Sequence, residues 1–416
     1  MRIMKFTVEA ASRGNASRLG CLSHPEGGKT FKTPLLVHST KSGSIPYLSR
    51  EAFGFVAGDH PQILQVSLTS CDHMEKALEA YKKGISSFVG YGGGGYPTFL
   101  ALKDPCEIAP SGYHEKDIVP VFTRRGKTAI TVDRYIKFVE KAKPDIYHAL
   151  CDSDTNDESP KKRVMKSVER TEVFLRECWE RHKNSEILKD SLFLAPIVGG
   201  YSKEGRSNLI KTIPSDAGIG GYFIDGLHNN GETALKVDVN SVKEIVSHCL
   251  KELNDDKIRM MTGAYTPLMV LELVQLGIDI FDTSLVYVFA TNFRALTFNF
   301  DINKKNLDIP FYIDLSQEKY KEAFEPILEN CDCLACRKHT KAYIYHLYNT
   351  KELLGPILLM MHNTHHYMTF FDTIRTSVGG DTLSELINLI RKQTEVIGES
   401  MQIVPKKSTT ENLKSR

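Results

Sequence analysis

Cys331-Asp332-Cys333-Leu334-Ala335-Cys336 places three thiols within six residues, and a helical run reaching His362 follows. Thiolate and imidazole are the ligands Zn²⁺ prefers, and four of them in a tetrahedron make a closed structural site. We read the stretch as a Cys₃His site for one zinc ion, with Cys331, Cys333 and Cys336 as ligands. His362 is the favoured fourth ligand, because Met360-Met361-His362-Asn363 ends the most apolar part of its helix. On spacing alone His339, His346, His365 and His366 compete, and His339 stands close enough to Cys336 to complete the site locally. A four-ligand site leaves no open position for water, so the predicted zinc is structural. The bland alternative is a redox or merely buried thiol cluster.

The other residues able to do chemistry stand where short apolar runs end. These are Asp152, Gly199-Gly200, Asp225 and Asp282. The runs themselves predict the frame. Phe6–Ala10 and Arg18–Leu22 read as strands, Pro25–Gly28 as a turn, and Thr33–Val37 as the start of a more buried strand. From there strands alternate with helices. Predicted strands are Gln62–Val66, Ser86–Val89, Asp145–Leu150, Leu192–Val198, Gly221–Asp225, Ile258–Met261 and Ile278–Phe281. Predicted helices are Asp72–Lys83, Val132–Ala142, a long one through Arg181 opened by Ser159-Pro160, Val242–Leu253 and Pro267–Leu276. Such alternation means a parallel sheet with helical crossovers, and about eight units over ~300 residues suit an α/β fold of the (β/α)₈ TIM-barrel type. No GxGxxG opens the chain, which weakens the dinucleotide-binding alternative. In a barrel, chemistry gathers at the C-terminal strand ends, where these acids and glycines lie.

Phe298–Leu315, including Lys304-Lys305-Asn306, reads as a β excursion from the barrel. Helices follow over His339–Tyr348, from Lys351 to Arg375 with an interruption at Gly355-Pro356, and over Leu383–Ile397. The expected division is a barrel over 1–300, a zinc-binding subdomain with helices packing on the barrel over 301–400, and a disordered polar tail over 401–416.

A hydrophobic fraction of 41% and a charged fraction of 25% are those of a globular protein, and 416 residues can bury a large core. A net charge of +2 gives no global attraction to nucleic acid or membrane, so RNA binding needs a local patch. Six of the nine cysteines are scattered, unlike a secreted disulfide framework, which favours the cytoplasm. Met1–Phe6 lacks the apolar core of a secretory signal, and no run of ~18 apolar residues occurs.

The zinc stretch then becomes recognisable. Cys331-x-Cys333-x-x-Cys336, Lys341–Leu347, Glu352-Leu353-Leu354-Gly355 and His362-Asn363 together resemble the zinc subdomain of the tRNA-guanine transglycosylases. Upstream, Arg18-Leu19-Gly20, Thr33-Pro34, Ile197–Gly200, Gly221-Tyr222, Gly226-Leu227 and Gly263–Asp282 resemble the family's strands in order, so the resemblance covers the chain to about Arg375. It implies an irregular (β/α)₈ barrel with a C-terminal zinc subdomain, and it implies His362 as fourth ligand. It also implies exchange of a tRNA anticodon guanine for another base, queuine in eukaryotes. That reaction uses one carboxylate to attack the ribose and a second to handle the proton on the base. The target base must leave its stack to enter a pocket.

Asp282 matches the nucleophile, and Asp152, Gly199 and Gly200 are base-pocket candidates. The departures matter more. Thr283-Ser284-Leu285 replaces the Pro-Thr-Arg that follows the nucleophile. The second carboxylate belongs to a Thr-Asp-Ser-Gly-Gly stretch, and Gly90–Pro97 in that region has no acid. Asp104, the next acid downstream, is expected to lie too far along. Val198 replaces a glutamine, Asp225–His228 replaces a smaller sequence, and Asp154 replaces a cysteine beside Asp152. One acid without the other runs the exchange poorly, since acid–base assistance typically contributes ~10²–10⁴-fold. Asp282 is therefore expected to be vestigial, with no catalytic residues. The resemblance then implies a non-catalytic subunit that pairs with a catalytic paralogue as a heterodimer and helps position tRNA. It implies the cytoplasm, with room for a peripheral pool at the mitochondrial outer membrane. The alternative is an active homodimer using Asp282. An unrelated barrel hydrolase would need a metal or paired acids at the strand ends.

Other motifs have modest readings. Gly92–Gly95 lacks the Lys-Ser/Thr of a P-loop. Lys161-Lys162-Arg163 with Lys166 and Arg170 makes a basic helix face, either solvated or touching tRNA phosphate. Arg124–Lys127 reads as a hairpin turn. Tyr367, Met368, Phe370 and Phe371 form a stripe suited to core packing or a dimer surface.

Overall fold

The computed structural model describes residues 3–24, 29–58, 60–92, 96–214, 218–304 and 309–397. Eight parallel strands close a barrel: β1 (Leu35–Ser39), β2 (Ile63–Ser67), β3 (Thr98–Ala101), β4 (Ile146–His148), β5 (Leu192–Ile197), β6 (Ile219–Ile224), β7 (Ile258–Met260) and β8 (Ile280–Asp282). Each pairs with the next, and β8 returns to β1 through Ile280↔Leu35 and Asp282↔Val37. Alternation along each strand sorts the side chains. Leu35, Val37, Ile63, Phe99, Leu194, Met260 and Ile280 fill the barrel interior. Leu36, Leu64, Val66, Leu100 and Phe193 face outward into the larger core beneath the helices.

A three-stranded antiparallel sheet, Lys5–Ala11, Arg18–Ser23 and Thr30–Thr33, closes the bottom, and Leu22 and Phe31 join the interior cluster. Its Arg18 forms a two-point ion pair with buried Asp279, at 2.8 and 2.6 Å. The top is left to loops, as a barrel site requires.

Two expectations shift. Ser86–Val89 is not a strand; Ile85–Phe88 is a single helical turn. Gly84 and Gly90, at φ of +80° and +87°, bracket a segment too short to cross the barrel. The third strand is Thr98–Ala101, opened by Pro97, and its end leads straight to Asp104. Gly355-Pro356 does not interrupt a helix either. It lies in the first turn of Leu354–Gly379, where a missing N–H removes no bond. Smaller differences follow local capping. Pro160 itself is the N-cap of Lys161–Asn184, while the Ser159 hydroxyl bonds Asn156. Asp72–Lys83 splits into a 3₁₀ turn, Asp72–Met74, and a helix, Glu75–Tyr81. The β excursion is a two-stranded ribbon, Arg294–Leu296 with Tyr312–Asp314. The Pro25–Gly28 turn, Gly93–Gly95, Lys305-Asn306 and the 401–416 tail lie outside the described residues.

The helix Leu354–Gly379 is buried on most of its circumference. Tyr367, Phe370 and Phe371 are core residues, so the aromatic stripe is not a surface. Phe371 meets Phe281 of β8 edge-on at 5.9 Å, and Arg375 donates to the Pro34 carbonyl at 2.7 Å. The last helix, Leu383–Ile397, packs on Pro267–Gln275. There the buried Glu272 carboxylate is shared by Lys243 and, at 2.6 Å, Arg391. Among the described residues no helix is long and apolar enough to cross a membrane.

Candidate functional site

Two sites come together, one beside the barrel and one at its mouth. In the first, Cys331, Cys333, Cys336 and His362 bring their ligand atoms within 4.8 Å of one another. His362 Nδ1 lies 3.8, 3.5 and 3.3 Å from the three sulfurs in chain order. A zinc tetrahedron with ordinary Zn–S and Zn–N lengths has N–S edges of about 3.6 Å. The tautomer fits as well. His362 Nε2 donates to the Leu296 carbonyl at 2.8 Å, which leaves Nδ1 unprotonated and aimed at the sulfurs. Next to it, the Asn363 side chain accepts from Leu296 N at 2.8 Å and donates to Arg294 O at 2.9 Å. The helix thus grips the ribbon with two consecutive residues. His339, the local competitor, stacks on Tyr343 instead, and His366 packs among Phe298 and Phe300. Neither belongs to the cluster.

At the barrel mouth, Asp282 ends β8 and is 3% exposed. Its two oxygens accept from Gly263 N at 3.2 Å and Ser284 N at 3.1 Å. Burial, with a smaller contribution from the charge of Asp104, raises its carboxyl to about 6 against the pull of those amides. Asp104 is expected from the sequence to lie too far along; the third strand ends at Ala101, which brings Asp104 to the rim beside Lys41. It is held by Lys41 Nζ at 2.5 Å and Cys106 N at 2.9 Å. Burial raises the Asp104 carboxyl too, opposed by Lys41. His148 accepts from Leu102 N at 3.2 Å and so fixes the strand end that carries it.

Asp152 is fully enclosed, and two residues of the basic helix face enclose it. Arg163 binds both its oxygens, with Nη1 at 2.9 Å, and Arg170 Nη1 reaches it at 3.0 Å. Burial opposes its ionisation, but the arginines prevail and hold its carboxyl below the usual range. Asp154 accepts from Ser111 Oγ and Gly112 N, each at 2.9 Å, and contacts His114 Nε2 at 2.7 Å. These bonds strap the 104–118 loop across the mouth. Arg163 and Arg170 are seven residues apart, hence on one helix face, a spacing readable in the sequence. Nothing in the sequence said that this face turns inward.

Gly199 and Gly200 make the turn after β5, at φ of +135° and +52°. Arg206, wholly buried, donates to the carbonyls of Gly200, Ile197 and Asp225 at 2.8–2.9 Å. The turn is thus packed on protein rather than open to a ligand. His228 fills the space over Gly263, where a Cβ would stand 2.7 Å from its Nε2. The cavity left between Ala101, His148, Phe223, Asp225 and Thr262 is about 10 Å³. That is room for a single water, whereas small-molecule sites run to hundreds of Å³.

The sequence pattern described as queuine tRNA-ribosyltransferase, the tRNA-guanine transglycosylase type, matches residues 13–395. With its closed barrel and Cys₃His cluster, the chain belongs to that family. Within it, the chain is similar over nearly its whole length to proteins named queuine tRNA-ribosyltransferase accessory subunit 2. The one from Drosophila virilis is 47% identical over 404 residues, which is 97% of this chain and 95% of the relative. The one from Drosophila melanogaster is 48% identical over 396 residues, 94% and 93% of the two.

Proposed function

We propose that the chain is a non-catalytic accessory subunit of a queuine tRNA-ribosyltransferase. In this reading it pairs with a catalytic paralogue as a heterodimer and helps position tRNA. The paired enzyme exchanges guanine for queuine at the anticodon wobble base of tRNAs with GUN anticodons, those for Asp, Asn, His and Tyr. The Cys₃His cluster holds one zinc that fixes the fold and takes no part in the exchange. The chain works in the cytoplasm. The observation that carries the reading is the filled barrel mouth. Asp152 is bound by two arginines, Gly199-Gly200 by Arg206, and the cavity beside Asp225 and His148 is only about 10 Å³. The names of the full-length relatives point the same way.

A second reading has one observation in its favour. Asp104 and Asp282 both stand at the barrel mouth, and the charge of Asp104 helps to raise the Asp282 carboxyl, as two acids in one active site would. Against it, both are buried and already hydrogen-bonded, Asp104 to a lysine. The test is incorporation of labelled guanine into tRNA by the purified chain, alone and mixed with the catalytic paralogue. Exchange by the mixture only is expected. Exchange by the chain alone, lost in both Asp282→Asn and Asp104→Asn, establishes the second reading instead.

A further inference from the structure

Of the nine cysteines, eight are buried and Cys331 alone is half-exposed. It is also the one corner of the metal cluster that meets solvent, since Cys333 is 4% exposed, Cys336 8%, and His362 is fully enclosed. A groove of about 710 Å³ opens beside it. Residues 298–301, residues 328–332 and His365 of the long helix form its walls, and Cys331 is the cluster ligand that lines it. Such a volume admits a small reagent with ease.

The sulfurs also differ in what they touch. Cys333 caps the short helix Leu334–Lys338, and its Sγ accepts from Cys336 N at 3.3 Å. Such a bond stabilises a thiolate and lowers its nucleophilicity. Cys331 precedes that helix. Its Sγ meets His362 Nδ1 and, among the described residues, no backbone N–H. A metal-bound cysteine is held as the thiolate, the nucleophilic form. The most accessible sulfur of the cluster is thus also one whose charge no amide draws off. Three carboxylates, Asp301, Glu329 and Asp332, line the groove with one lysine, Lys304, which lies 3.7 Å from Asp301. An anionic reagent meets this excess of negative charge at the rim, and an uncharged one does not.

We infer that Cys331 is an oxidant-sensitive ligand, the point at which an uncharged hydroperoxide reaches the cluster and opens it. The Cys331 thiolate attacks one peroxide oxygen. An S–O bond forms, the O–O bond breaks, and the departing alkoxide takes a proton from water. The sulfur has given two electrons to the peroxide and is a sulfenic acid. The thiolate of Cys333 or Cys336, both within the 4.8 Å span of the cluster, then attacks that sulfur. An S–S bond forms, the S–O bond breaks, and hydroxide leaves to become water. Two thiolates, one hydroperoxide and two protons have given a disulfide, an alcohol and water. The site has then lost two of its four ligands, and its hold on a metal goes with them. The inference rests on the zinc-holding role proposed above and adds a way to end it.

The test uses the full chain with its zinc, after elemental analysis, and two probes. Iodoacetamide, which blocks one sulfur at a time, is followed by peptide mass spectrometry. Cys331 is expected to be alkylated first, about tenfold or more ahead of every other cysteine, because reactivity follows thiolate character and exposure. Iodoacetate, scaled by its rate with free cysteine, is expected to lag about threefold at low salt, and Glu329→Gln/Asp332→Asn to remove the lag. With tert-butyl hydroperoxide, zinc release read by a chromogenic chelator is expected to keep pace with a disulfide that contains Cys331. Cys331→His keeps a ligand nitrogen and is expected to slow that release about tenfold. If this variant holds no zinc, the mapping of the unaltered chain decides alone. First alkylation at any other cysteine, or unchanged release from zinc-loaded Cys331→His, overturns the inference. Absence of the iodoacetate lag overturns the preference for uncharged reagents. A chain that carries no zinc before any reagent is added, and takes up none, overturns the zinc reading itself and is told apart by that first analysis.

Discussion

The metal cluster and the barrel mouth are both built from buried groups that carry charge, and they differ in what completes them. At the cluster, three sulfurs and one imidazole nitrogen converge within 4.8 Å of one another, the ligand set of a metal ion. The hydrogen bond from His362 Nε2 to the Leu296 carbonyl sets the tautomer for an ion. At the mouth the convergence is already satisfied from within. Arginines occupy Asp152, backbone amides occupy Asp282, and a lysine occupies Asp104. One site is organised to receive something, and the other has become part of the protein's own packing. A shared family fold therefore does not entail a shared dependence on ligand at both places.

That contrast can be broken hardest at the cluster. Cys333→Ser/Cys336→Ser is expected to take zinc from one ion per chain to none, read by elemental analysis, and to abolish cooperative unfolding. Structural zinc sites in small peptides are worth about 10–16 kcal/mol, an upper bound for a chain with a large core of its own. Full metal retention in the double variant would mean the ligands are misassigned.

At the mouth, removing the internal occupants should cost stability without creating a binding site that works. Arg163→Ala/Arg170→Ala leaves Asp152 buried and unpaired, at about 3–5 kcal/mol by denaturant unfolding. If the variant instead stayed as stable as the parent and bound guanine tightly in calorimetry, the mouth would be a regulated pocket rather than a filled one.

A pH series sharpens the same point. The folded-state pKa of Asp282, about 6, lies above its ordinary 3.8. The folded chain therefore holds this proton more tightly than the unfolded chain does. Its contribution to stability is largest below pH 4 and declines as the pH rises to about 6. At 1.36 kcal/mol per unit the decline is about 3 kcal/mol. Asp282→Asn should lack that slope, so the difference between the parent and variant unfolding curves carries it. Asp154 works in the opposite direction, being held low by His114 and Gly112 N against its burial, so only the difference isolates Asp282. The exchange activity of the mixed complex should be untouched by the same substitution.

The smallest expected effect is at the turn after β5. Gly200→Ala places a Cβ at φ of +52°, 3.2 Å from Val164 Cγ2. A left-handed non-glycine residue costs roughly 1–2 kcal/mol, visible as a modest fall in Tm with no change in metal content.

The cluster was legible in the sequence because its ligands are close together and chemically unusual. Only the choice among histidines needed three dimensions. The barrel was legible because its strands are buried on both faces and read as short apolar runs, which Leu192–Ile197 and Ile219–Ile224 show well. The mouth was less so. Thr98–Ala101 is only four residues long, a weaker apolar run than Ser86–Val89, which folds as a helical turn. With the strand placed at Ser86–Val89, Asp104 falls too far along to reach the mouth. The inward aim of Arg163 and Arg170 depends on where a 24-residue helix docks, which no local pattern records.

The helix that carries His362 has a further consequence, which lies in the order of synthesis. Its Arg375 bonds the Pro34 carbonyl, at the threshold of β1, across a separation of 341 residues. Its Phe371 lies on Phe281 of β8. Both strands of the β8–β1 seam thus wait for this helix, which leaves the ribosome after every strand of the ring has done so. Until then the nascent barrel presents two strands with no helix over their junction, the kind of edge that invites wrong partners. The segment that brings the last metal ligand is also the one that covers the closing seam of the ring, so for a newly made chain the two steps fall at the same moment.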